Sequence, residues 1–364
     1  MFANRDLVYV IAVWALNLIS VALIPCIFLA QRRLKVGISG WLAAGLASFN
    51  LLLVHFGHQP TPHIPLATLS FCAIVLLVMV AHNYGSWRLI LLATTVRALV
   101  VGTLQSGILI CLPYALAILA RPYRHGHYNW RRLFGLQTVV SLLLFAGLCV
   151  LLYPQIVGEY GSVIAGYLAG QTSEFNLGGG SHEFHLSMFS VENLPQFVFR
   201  LSSYQPFLTA AIPIALVYFV VSLRHRRLLL LICLPFPLIN LMIWGMFFGT
   251  FPRITASLVP YMIFAVAYAV EDISCKLARR WTLRSGRWQL FIFALILLPA
   301  MLSSSRLVWV TAQTDTRSLV SQWINESIAA EQAILLNFQL FDLLPTAEAV
   351  NRQGSDFPGS VGTR

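Results

Sequence analysis

Long apolar runs alternate with short polar joints along almost the whole chain. Residues 7–30, 37–56, 64–81, 89–120, 133–153, 206–223, 228–249, 254–270 and 289–310 contain few polar side chains. All but 89–120 fall in the roughly 17–25 residue range that carries a helix across about 30 Å of hydrocarbon. A polar stretch, 154–205, interrupts the series, and a tail with the composition of a soluble segment follows residue 310. The pattern therefore predicts an all-α polytopic membrane protein. Its multi-span domain covers 1–310, with 154–205 as one large loop, and its tail covers 311–364.

Basic residues in short loops set the orientation of such a chain. Arg32, Arg33 and Lys35 put 31–36 in the cytoplasm, and the Arg-bearing joints 82–88, 121–132, 224–227 and 271–288 belong on the same side. That arrangement places 16 of the 24 basic residues inside and 11 of the 13 acidic residues outside. It has one condition, which is that 89–120 must enter and leave on one face. As a single helix this run would be about 48 Å long, well over the membrane thickness. Two shorter helices meeting near Gly102–Gly107 remove the difficulty. The prediction is about eight full spans plus a short helical hairpin. The N-terminus, the large loop and the tail then share the outer face.

Composition agrees with the pattern. Hydrophobic residues make up 58% and charged residues 10%, with mean hydropathy +0.76. An average soluble domain has about 45–50% and about 25%. A soluble enzyme, a disordered chain and a disulfide scaffold are excluded. The net charge of +11 comes from 22 Arg and 2 Lys. These sit mostly in short loops, so the charge reads as topology and not as a nucleic-acid groove. Cys26, Cys72, Cys111, Cys149, Cys233 and Cys275 lie in or beside apolar runs without metal spacing and read as small buried hydrophobes. Residues 7–30 are too long and apolar for a cleavable signal and read as a true span.

In the tail, Asp315 is a good N-cap. Leu319, Val320, Trp323, Ile324 and Ile328 follow at helical spacing, and Ala333–Leu336 reads as a buried strand. The expectation is a small α/β outer appendage, folded to about residue 340.

Three outer groups carry candidate chemistry. His55, His58 and His63 flank a turn with two prolines; imidazoles at a membrane surface bind phosphate or metal, and a plain polar turn is the competing reading. His182, Glu183 and His185 supply three metal donors in the large loop. Their spacing and the preceding glycines differ from the helical zinc motif, and a solvated loop is the alternative. Arg253 opens the run 254–270, where it serves either as an interface anchor or as a clamp for a lipid-linked phosphate. Within the spans, Arg97 must face protein or snorkel. Asn50, Gln105, Gln137 and Asn240 are expected to join helices by hydrogen bonds.

The segment FPRITASLVPYMIFAVAYAV resembles the Arg-to-Pro signature of polyprenol-phosphate-sugar glycosyltransferases of the GT-C superfamily. The likeness is to family 39-like members, the protein O-mannosyltransferases and lipid A aminoarabinose transferases. DTRSLVSQWINESI resembles the segment after their last span, and LAQRRLKVGISGWLAAGL resembles a junction between their early helices. The short hairpin also occurs in that fold. The resemblance implies transfer of a sugar from a polyprenyl-phosphate donor to a lipid, glycan or protein acceptor at the outer face, in a bacterial inner membrane. It implies a carboxylate base, and a divalent metal or cationic side chains on the leaving phosphate. Arg253 is then the expected phosphate contact, with His58 and His63 as further substrate contacts. Two departures stand out. Ile254 occupies the place where the family prefers Tyr, and the first outer loop that holds the family's acid has no counterpart. The expectation is an N-terminally truncated chain to which no catalytic residue can be transferred. A non-catalytic binding subunit and a transporter of a lipid-linked saccharide are the alternative functions.

Overall fold

The computed structural model describes residues 5–34, 38–57, 61–82, 86–120, 123–124, 127–128, 135–152, 190–204, 206–224, 226–246, 252–280, 285–313, 323 and 326. The chain divides into two units, Met1–Ser304 and Ser305–Arg364. In the first unit the helices are α1 (Arg5–Val21), α2 (Leu23–Leu34), α3 (Ser39–Ser48), α4 (Leu51–Gly57), α5 (His63–His82), α6 (Trp87–Thr103) and α7 (Cys111–Ala120). They continue with α8 (Leu136–Leu152), α9 (Leu194–Tyr204), α10 (Pro206–Ser222), α11 (Arg227–Cys233), α12 (Pro235–Met246) and α13 (Val259–Arg280). Helix α14 (Ser285–Thr311) begins there. Short 3-10 helices cover Gln105–Ile110 and Pro252–Leu258. Strands Tyr123–Arg124 and His127–Tyr128 pair antiparallel in a small hairpin.

Every predicted apolar run has become helix. Among the described residues, Trp14–Arg33, His63–His82, Arg227–Met246, Thr255–Arg280 and Trp288–Thr311 are long and apolar enough to cross a membrane. α3 and α4 make a sixth span, bent by 45°. The bend sits at Asn50, whose Oδ1 accepts a hydrogen bond from Leu53 N at 3.0 Å and so caps the new helix. Of the eight full spans expected, the other two, α8 and α10, have 17 residues each, the lower edge of spanning length. The chain is a multi-pass integral membrane protein.

The hairpin in 89–120 is present, and its geometry shows why the run breaks where it does. α6 ends at Leu104, which is extended (φ −158°, ψ 148°). Ile90 and Ala93 of α6 then pack with Tyr114, Ala117 and Ile118 of α7, while Val100 and Val101 pack with Ile110. The start of one helix thus meets the end of the other. At the tip, Gly107 approaches the Val100 backbone so closely that an added Cβ would lie 2.1 Å from the Val100 carbonyl oxygen. Arg97 faces protein: its guanidinium carbon lies 3.7 Å from the Tyr114 ring centre and 3.2 Å from that of Phe145. Tyr114 in turn hydrogen-bonds Ser141.

Lipid tails offer no hydrophobic contrast to a helix surface, so membrane helices associate through close packing of small residues. Ala67, Ala73 and Ala81 of α5 and Ala265, Ala267 and Ala269 of α13 are buried in this way. These two helices form the centre of the unit, 67% and 72% buried over their apolar windows. Leu143 and Leu151 of α8 and Ile214 of α10 instead point outward, as lipid-facing side chains do.

The helix ends pair as the alternating topology requires. At one pole, Glu271 Oε2 accepts from Ser39 N at 2.6 Å, and Asp272 accepts from Tyr218 OH at 2.5 Å while pairing with Lys276 at 2.8 Å. At the other, Met246 O accepts from Ser190 N at 2.9 Å and from Asn193 Nδ2 at 2.8 Å; at the bend of the second span, Ser304 Oγ donates to Phe49 O at 2.6 Å.

One expectation needs correcting. Asn240 does not spend its amide on a neighbouring helix: Nδ2 donates to Phe236 O one turn back in its own helix, at 2.9 Å. A side chain this short reaches its own i−4 carbonyl more readily than a facing backbone. In the second unit Trp323 is helical and 60% exposed. The rest of the expected α/β appendage lies outside the described residues.

Candidate functional site

The two central helices begin side by side at the same pole. α5 starts at His63 behind Pro62, with Pro65 in its first turn; α13 starts at Val259, with Pro260 as its second residue. Proline fits the first helical turn because the amide it lacks would be unpaired there in any case. Ahead of α13, the 3-10 helix Pro252–Leu258 packs on α4, α5 and α12. It buries Thr255, Ser257 and Leu258 and leaves Arg253 exposed. Arg253 lies close enough to the half-buried His63 for its charge to bear on the imidazole. Two residues 190 positions apart in sequence, each singled out for phosphate chemistry, are thus brought together. His55 is nearby in sequence but sits in an aromatic cluster, its ring centre 4.7 Å from that of Phe56 and 5.9 Å from that of Tyr204.

His58 lies outside the described residues, and so do the metal candidates His182, Glu183 and His185. Among the described residues no group of three or more His, Cys, Asp or Glu side chains could hold a metal ion. Of the acids Asp6, Glu159, Glu174, Glu183 and Glu192, expected on the outer face, only the Glu192 side chain is described. It is exposed, in the turn whose Ser190 and Asn193 bond Met246.

Below the Arg253 pole runs an apolar cavity of about 650 Å³ between α2, α5, α9, α10, α11, α12 and α13. Leu258 and Tyr261 line one end; Arg33, His82 and Arg226 line the other. Phe71 and Phe264 belong to its wall, with ring centres 5.6 Å apart. The sequence carries no sign of this cavity, because its walls come from seven apolar helices that read alike. Arg33 and Arg226 are legible there only as orienting charges.

No protein-family model and no curated protein sequence matches the chain. Solved structures do match it. Over 95% of this chain and 73% of the other, the fold is similar to ArnT from Cupriavidus metallidurans in the apo state, with 12% identity and a TM-score of 0.55. Over 87% of this chain it is similar to the Archaeoglobus fulgidus oligosaccharyltransferase in complex with Zn and sulfate, with 13% identity and a TM-score of 0.50. The chain spans 44% of that protein. At these identities the likeness is one of fold. The chain thus shares the fold of these two proteins, which is the fold that its resemblance to the GT-C superfamily implies.

Proposed function

We propose that the protein is a family 39-like GT-C glycosyltransferase. It moves a sugar from a polyprenyl-phosphate donor to a lipid, glycan or protein acceptor on the outer face of a bacterial inner membrane. The observation that carries this reading is the packing of the 3-10 helix that bears Arg253 against the helix that His63 opens, at the head of the two most buried spans. A guanidinium fork suits a phosphate held at headgroup depth, since it donates two parallel hydrogen bonds and stays charged at all relevant pH values. In the transfer step the acceptor oxygen bonds to the anomeric carbon as the bond from that carbon to the phosphate oxygen breaks. The polyprenyl phosphate leaves with the electron pair, and the acceptor proton passes to a carboxylate. Arg253 offsets the charge that grows on the leaving phosphate, a stabilisation that is larger in the transition state than in the ground state. His63 sits beside that charge as a second polar contact. The role of base stays unassigned. No described donor set fits a divalent ion, so no step here is routed through a metal; His182, Glu183 and His185 are the residues the sequence offers for one.

The test is equilibrium binding of undecaprenyl-phosphate-linked sugar to the purified full chain, with and without Arg253→Ala. A charge-assisted contact contributes roughly 1.5–3 kcal/mol. Its loss should weaken binding about ten- to hundred-fold. Arg253→Lys should fall between, because an ammonium lacks the fork. Equal binding by all three proteins would remove Arg253 from the site.

A further inference from the structure

The far end of the cavity has a chemistry of its own. Arg33 closes α2, His82 closes α5 and Arg226 stands at the head of α11, and all three line the same cavity. Each is exposed at the surface while the walls behind it are apolar, among them Val78, Leu216 and Leu229. No carboxylate lines the cavity among the described residues. The acids at this pole are engaged elsewhere: Glu271 caps α3 through Ser39, and Asp272 holds Tyr218 and Lys276. His82 Nδ1 lies 2.8 Å from the Val78 carbonyl, which can only accept, so Nδ1 donates to it and the ring is held at the rim of the cavity.

This cationic end is not the pole of Arg253. His63 and His82 are the first and last residues of α5, about 28 Å apart along the helix. A phosphate at Arg253 and an anion at Arg33, His82 and Arg226 therefore lie at opposite ends of a membrane-crossing helix. One headgroup cannot satisfy both.

We propose that this end of the cavity is a binding site for an anionic diacyl phospholipid. It would be drawn from the leaflet on the arginine-rich side, which the charge pattern makes cytoplasmic. The phosphate is held by Arg33 and Arg226, with His82 at the rim of the site, and an acyl chain enters the apolar cavity between α5 and α10. Three requirements of such a ligand meet here: cationic donors at headgroup depth, no competing carboxylate, and an apolar channel leading inward. Its volume of about 650 Å³ falls inside the roughly 300–1,000 Å³ range of small-molecule sites. Neither headgroup charge nor hydrocarbon alone accounts for the site, because an anion without a tail leaves the cavity unfilled and a neutral lipid leaves the arginines without a partner. The inference does not depend on the donor-site reading, which concerns the other pole.

The experiment is native mass spectrometry of the purified full chain with three added probes: dioleoyl phosphatidylglycerol, dioleoyl phosphatidylcholine and inorganic phosphate. Phosphatidylglycerol should be retained at least about tenfold better than phosphatidylcholine. Excess inorganic phosphate should not displace it. The Arg33→Gln/Arg226→Gln protein should lose about thirty-fold in retention, as expected for two surface basic residues acting on an anionic headgroup. Both arginines are exposed, so this variant keeps its packing. Leu216→Trp, which fills the cavity and leaves the arginines in place, should also reduce retention. Equal retention of the two lipids would overturn the proposal. So would undiminished retention by the double variant, displacement by free phosphate, or retention unaffected by Leu216→Trp.

Discussion

Replacing Gly107 by alanine is the sharpest perturbation of the hairpin. A Cβ at this position would stand 2.1 Å from the Val100 carbonyl oxygen, 2.8 Å from its carbonyl carbon and 3.2 Å from Val100 Cγ1. Carbon–oxygen contacts in proteins settle at about 3.3–3.6 Å. The tip must therefore open by about 1 Å, and the nearest obstacle is backbone that no rotamer change can move. The Gly107 φ lies outside the left-handed region, so alanine meets no backbone penalty and the effect is steric alone. Overpacking of this kind costs about 1–3 kcal/mol, and a clash with main chain belongs at the upper end. Gly147, in the middle of α8, provides the control, since a Cβ there meets nothing within 4 Å. Gly147→Ala should leave stability unchanged or raise it by about 0.5–1 kcal/mol through helix propensity. Thermal unfolding in detergent, followed by size-exclusion chromatography, should show Gly107→Ala melting about 5 °C or more below wild type, with Gly147→Ala at or above it. If the two variants melt together, the chain does not fold back on Val100 and the hairpin is wrong.

Glu271→Gln should lower stability by about 1–2 kcal/mol, because it weakens a charge-assisted cap on Ser39 N inside the protein; chemical or thermal unfolding reads the loss, and an unchanged midpoint would show that the cap contributes nothing. Single cysteines at positions 124 and 284 should resist a membrane-impermeant thiol reagent in intact cells, whereas one at 253 should react; labelling at 124 or 284 would invert or break the topology.

Much of the fold was legible because a bilayer imposes a length and a composition on every element that crosses it. Each apolar run became helix, and the excess length of 89–120, with Arg-bearing joints at both ends, called for the hairpin. The kink at Asn50 was not legible, since a lone asparagine in an apolar run reads equally as a cap or as an interhelical bond. Asn240 shows the same ambiguity settled locally, on its own i−4 carbonyl. Half of the candidate site was readable in advance. Arg253 and His63 stand out as polar residues at the heads of spans, but their meeting depends on α5 and α13 packing in parallel, which periodicity does not encode. The convergence of Arg33, His82 and Arg226 on one cavity was out of reach for the same reason. Three chain-distant helix ends share it, and each has an independent explanation as a topological charge.

The central claim is that a lipid-linked phosphate sits at the Arg253 pole. Photo-crosslinking of the full chain with a polyprenyl-phosphate sugar that carries a photoreactive group next to its phosphate, followed by peptide mapping, tests it most directly. The account predicts adducts on the peptides holding His63 and Arg253, with loss of both when Arg253 is alanine. Adducts concentrated on the peptides of Arg33, His82 and Arg226, or a pattern indifferent to Arg253→Ala, would contradict it.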